Sequence, residues 1–283
     1  MATTTAAAGR PSALPPAAGR AGLRGAIASE FTKIRTVRST YWTLAVLLIV
    51  SVGIGAAISA GEAAQINHDP SQKAGVDATQ LSLFAFFELG QLIIAVIGAM
   101  TITAEYSTGM VRTSLTALPR RGVVYAAKAI VLAAVTLAVS LVTAFIAFFL
   151  GQSLLSGTGV GASVFHSASV LTAIIGTALF VTVVALIAFG AGAIIRHTAG
   201  AITTVIGVMF VIPIIVAVLP QHWSWDLMRF MPDVAGRMIS VTTPVADGQA
   251  LHLWSAWAQF LVTIGWAVVL LGVGGYLFRK RDA

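Results

Sequence analysis

Six apolar runs divide the chain, at about residues 41–60, 81–104, 123–150, 164–195, 199–219 and 254–278. Each has roughly the 20 residues a helix needs to cross a bilayer. In hydrocarbon a backbone must satisfy its own amides and carbonyls, which leaves helices or a closed barrel, and runs of this length without period-two alternation read as helices. The expected fold class is all-α: a polytopic membrane protein with six transmembrane helices. Composition agrees. Hydrophobic residues make up 58% and charged residues 10% of the chain, against about 25% charged in a soluble domain. The fifth run contains Pro213, which a membrane helix tolerates as a kink.

Six crossings put both ends on one side, and the basic residues say which. Fourteen of the 17 Lys and Arg lie in the N-terminal segment, the 105–128 region, the turn at Arg196 and the C-terminal tail. The opposite loops hold only Lys73, Arg229 and Arg237. Cations collect on the cytosolic side of membrane proteins, so both termini, the 105–122 connection and the 196 turn are expected in the cytosol. The same bias accounts for the formal net charge of +7. Nothing resembles a basic soluble module with stacking aromatics, so no nucleic-acid partner is expected.

Two domains are expected. Residues 1–21, rich in Ala, Thr, Gly and Pro, have nothing to bury and read as a disordered tail. No apolar stretch follows directly, so they do not read as a secretory signal. Residues 22–283 form the six-helix domain. Between Leu23 and Tyr41, Leu23, Ile27, Phe31 and Ile34 recur at helical spacing, with Arg24, Lys33, Arg35 and Arg38 on other faces. This is expected to be an amphipathic helix in the membrane surface, Tyr41 and Trp42 anchoring the first span; a solvated basic linker is the alternative.

The connection between runs two and three is short and patterned. Glu105 ends a helix, Ser107, Thr108 and Gly109 break it, a short amphipathic stretch with Val111, Arg112, Leu115 and Leu118 follows, and Pro119, Arg120 and Arg121 precede the third run. It is expected to be a rigid handle. Within run two, Glu88, Gln91, Gly98 and Glu105 share a small, polar face. Such a face suits a helix contact or the lining of a pathway; Glu88 near the outer interface, hydrated or hydrogen-bonded, suits it equally. Residues 220–253, with Trp223, Trp225, Phe230 and Met231 broken by Pro232 and Pro244, are expected to form two short helices dipping into the outer leaflet.

Motifs of chemistry are missing. The chain has no G-x-x-x-x-G-K-[ST], no H-E-x-x-H, no G-x-S-x-G and no Cys, and its five His are scattered singly. No nucleotide, metal or nucleophile site is expected in this chain.

The handle resembles the signature of permease subunits of the second type of ATP-binding-cassette exporter, carried by Glu105, Gly109, Leu115, Leu118, Pro119, Arg120, Arg121 and Lys128. Glu30, Phe31, Thr32, Lys33, Ile34 and Arg35 resemble that family's interfacial helix, and Tyr276 to Asp282 its aromatic-basic finish. Met110 stands where the family often has Thr. The resemblance implies a cytosolic ATPase that binds ATP and Mg in place of this chain. It also implies a second permease subunit and residues 107–118 as the coupling helix. It makes the chain a multi-pass cell-membrane exporter subunit for an unidentified, amphipathic or drug-like substrate. An ATP-independent carrier or channel, or a membrane scaffold or immunity protein, are the alternatives.

Overall fold

The computed structural model describes residues 22–110, 120–161, 168–242 and 255–281. These residues form helices and connecting turns, with no strand among them. In order they are α1 (Leu23–Thr36), α2 (Arg38–His68), a 3₁₀ turn at Pro70–Lys73, α3 (Ala78–Thr108), α4 (Arg121–Leu155) and α5 (Ala168–Ile195). Next comes a broken helix, α6 (Thr198–Ile206) and α7 (Ile212–Ala217), joined by a π-helical stretch at Gly207–Val211. Two short helices, α8 (Gln221–Met228) and α9 (Pro232–Arg237), precede α10 (Ala256–Lys280). Six helices are long and apolar enough to cross a membrane: α2, α3, α4, α5, α6–α7 taken as one, and α10.

The bundle is built around α5. Its 28 residues carry no charge, and a helix that is apolar all round belongs inside its neighbours. It packs against α3, α4, α6 and α10. Glycines set the distances. A Cβ on Gly98 of α3 would overlap the Ala185 carbonyl oxygen, and one on Gly190 would lie 2.7 Å from the Leu270 carbonyl carbon of α10. Small residues let helix backbones approach this closely where the lipid supplies no hydrophobic drive. Phe87 and Phe180 stack across the α3–α5 contact, centroids 4.4 Å apart.

Several element boundaries differ from expectation. The interfacial helix ends at Thr36, not Tyr41. Val37 is extended (φ −85°, ψ 108°) and Arg38, Tyr41 and Trp42 already belong to α2. The exit loop expected from residue 61 is still helical to His68, because Ala63 and Ile66 stay buried, Ala63 against Ala78 and Leu155. α4 likewise continues through Gly151 to Leu155, where the Gln152 amide donates to the Ala78 carbonyl (2.9 Å) and the Ser82 hydroxyl (3.1 Å). Polar residues that look like loop in sequence are here bonded between helices. The break in the fifth crossing comes as the π stretch just ahead of Pro213, relieving the missing amide.

Candidate functional site

α3 ends where the chain leaves toward the handle. Ser107 and Thr108 hydroxyls both donate to the Ala104 carbonyl (2.9 and 2.8 Å), and Gly109 caps the helix in the left-handed region (φ +70°), which glycine enters without steric cost. Val111, Arg112, Leu115, Leu118 and Pro119 lie outside the described residues.

One turn inside that end, Glu105 sits in a buried ionic cluster. Lys128, on the second turn of α4, bridges Glu105 and Glu30, its ammonium 2.8 Å from Glu30 Oε2. Lys33 on α1 bonds Glu30 Oε1 (2.9 Å) and Glu105 Oε1 (3.1 Å). Two carboxylates and two ammoniums therefore cancel. Lys128 is 1% exposed along its side chain, Glu30 10% and Glu105 12%. An unpaired charge so placed is expensive, and the compensating pair is what makes burial possible. Burial alone would lower the Lys33 pKa, but the Glu30 hydrogen bond and the Glu105 charge outweigh it and hold the ammonium above its ordinary range. The cluster ties α1, α3 and α4 together at one point.

This geometry defines the faces of α1. Leu23 and Phe31 are exposed, as a lipid-facing side requires, while Ala26 and Glu30 are the residues buried against the bundle. Arg35 is exposed and lies over the Phe31 ring, 5.8 Å from its centroid. Glu30 is an inward-pointing pillar of the site. Nothing in the sequence pairs Lys128 with Glu30, 98 residues apart along the chain.

The neighbouring corner binds the end of the chain. The Arg121 guanidinium donates to the Arg281 carbonyl (2.8 Å), and Arg281 donates to the Ile194 carbonyl (3.2 Å). A Cβ on Gly122 would lie 2.6 Å from the Arg279 guanidinium. Arg196, the one non-glycine described residue with positive φ (60°), stacks on Tyr106 at 4.9 Å. Arg121, expected to be a docking cation, is thus bonded to the tail, while Arg120 is exposed ahead of α4.

Glu88 and Gln91 belong to a second cluster at the far end of α3. Arg237 on α9 pairs with Glu88 and lies 3.7 Å from Asp233, with its guanidinium 4.7 Å from the Phe87 centroid. The Gln91 amide donates to Asp233 (3.1 Å). Burial raises the Asp233 pKa, against the opposing pull of Arg237 and Gln91. Gly98, midway, lies against α5. The polar face of α3 is therefore three separate features: a clamp on the α8–α9 segment, a helix contact and the ionic cluster.

A cavity of about 360 Å³ adjoins the Glu30–Lys33–Glu105–Lys128 cluster, lined by residues of α1, α2, α3 and α4. Among the described residues no group of three or more His, Asp or Glu is placed to hold a metal.

A family model described as ABC-2 family transporter protein matches residues 26–219. No curated protein matches the chain.

Proposed function

The chain belongs to the ABC-2 family of transporter proteins, and on that premise we propose that it is the permease subunit of an ATP-binding-cassette exporter. The ATP and Mg are bound by a separate cytosolic ATPase, and a second permease subunit completes the pathway. The chain lies in the cell membrane with both termini in the cytosol. Its cargo is an amphipathic compound.

The observation that carries this reading is the ionic cluster. The segment leaving Gly109 is where a motor would push, and four residues earlier Glu105 is bonded to both α1 and α4. A displacement of the 111–119 segment therefore cannot move α3 alone. It pulls on Lys33 and Lys128, and so on the surface helix and the third crossing together. Salt bridges of this kind have discrete partners, so their rearrangement switches between states rather than bending continuously. The packed α3–α5 contact at Gly98 would carry the motion to the centre of the bundle.

The test is partner capture. Detergent-purified protein is expected to co-purify with a cassette ATPase. Arg120→Glu, at the exposed position ahead of α4, should cut that capture several-fold while leaving the helical circular-dichroism signal unchanged. Transport by the isolated chain down an ion gradient, with no companion, would overturn the reading.

A further inference from the structure

Where α4 begins and α10 ends, cations gather without acids to match them. Arg279 and Lys280 close α10, and Arg281 caps it. The Arg279 guanidinium lies against Gly122, next to Arg121, and Arg121 donates to the Arg281 carbonyl (2.8 Å). Three arginines thus meet across one helix seam, and among the described residues none of them pairs with a carboxylate. Glu30 and Glu105, at the same end of the bundle, are engaged by Lys33 and Lys128. Residues 111–127 and 279–283 hold six Lys and Arg against one acid, Asp282. Like charges held this close repel, and an anion among them turns that repulsion into attraction.

The donors at this corner suit phosphate. A guanidinium offers several N–H groups in a planar fork that matches phosphate oxygens. Arg121 engages the Arg281 carbonyl and Arg281 the Ile194 carbonyl (3.2 Å), each through one nitrogen. Arg279 and Arg281 are exposed, so an anion can reach them. The membrane side of the corner is apolar. Leu261, Gly265, Gly272 and Arg279 fall on one face of α10, and a Cβ on Gly265 or Gly272 would meet nothing within 4 Å. These glycines floor a shallow furrow about 10 Å long, at 1.5 Å rise per residue, flanked by the exposed Leu261 and Tyr276. The Lys280 ammonium lies 5.6 Å from the Tyr276 ring centroid, an aromatic and a cation placed as at head-group level.

We propose that this corner binds an anionic phospholipid, its phosphate on Arg121, Arg279 and Arg281 and one acyl chain along α10 over Gly272 and Gly265. An acidic protein surface would answer the charges but leave the furrow empty; a phospholipid answers both. This binding does not rest on the permease reading.

The experiment uses the purified full chain in phosphatidylcholine nanodiscs, without any ATPase. The photoprobe is phosphatidylglycerol carrying a diazirine in its acyl chain. Saturable labelling is expected on the α10 peptide spanning residues 261–278. Unlabelled phosphatidylglycerol should compete at least tenfold better than added phosphatidylcholine, and inorganic phosphate should not compete. Arg279→Gln should weaken labelling several-fold, and Arg279→Gln with Arg281→Gln should abolish it with the helical circular-dichroism signal unchanged. Gly272→Leu, which fills the furrow at an open position, should move labelling off α10. Arg24→Gln removes the same charge from an exposed site on α1 and should leave labelling as it was. Equal loss from Arg24→Gln would reduce the effect to general surface attraction and overturn the proposal. Competition by inorganic phosphate would make this a site for free anions, and equal competition by phosphatidylcholine would remove the charge selectivity; either result overturns it. So does a double variant that keeps its lipid but loses ATPase capture, which assigns the corner to a protein partner. Failure to capture an ATPase while the lipid still binds would sink the permease reading and leave the site standing.

Discussion

Lys128 is the residue whose removal should be felt most. Its ammonium is almost fully buried between Glu30 and Glu105. Lys128→Met would leave those carboxylates with Lys33 alone, and breaking a buried pair from one side costs about 3–5 kcal/mol. We expect a loss of that order in detergent unfolding. Adding Glu30→Gln should recover part of it, with a coupling of at least ~1 kcal/mol in the double-mutant cycle. Additive effects would show that the contact is not energetic. Asp233 makes a pH prediction. Its folded pKa is raised, chiefly by burial, so the folded protein holds this proton more tightly than the unfolded chain does. The contribution is fully present below the ordinary aspartate value, ~3.9, and is lost as pH rises through the folded value. Asp233→Asn should flatten that decline and change little at lower pH. An unchanged pH profile of the melting temperature would count against it. Neither residue stands out by type; what sets them apart is where the helices place them.

At the scale of elements, the central helix α5 depends on glycine facing backbone. Gly98 meets the Ala185 carbonyl with no room for a methyl group. Gly98→Leu should push α3 from α5, cost about 1–3 kcal/mol by overpacking, and lower the melting temperature in detergent. A neutral result would mean the contact is looser than its geometry. The same substitution at Gly53, where nothing lies within 4 Å, is the control and should be close to neutral. The short α1 follows a different logic. Leu23 and Phe31 of its apolar stripe are exposed, Ile27 and Ile34 are half-buried, and its single buried acid holds it down. Periodicity locates such a helix but does not name the residue that holds it to the bundle, because hydrophobicity does not distinguish lipid from protein as the apolar partner.

For the whole molecule, six crossings with basic ends imply one orientation. The natural chain has no Cys, so Ala283→Cys is a clean reporter. It should react with a membrane-impermeant maleimide only after the cells are opened, and labelling of intact cells would reverse the topology. The number of crossings and their approximate limits were legible in the sequence. They follow from the length of apolar runs and from local charge, which act over one turn or one bilayer thickness. Legible too were Glu88 and Gln91 as polar residues needing partners, though not the partners themselves. Asp233 and Arg237 stand far along the chain from Glu88, and Glu30 is also distant from Glu105 and Lys128. Only the packed bundle brings them within hydrogen-bond reach. A buried charge advertises its need in sequence, but what answers that need is a matter of three-dimensional proximity, and the cavity beside the ionic cluster exists only once four helices have closed around it.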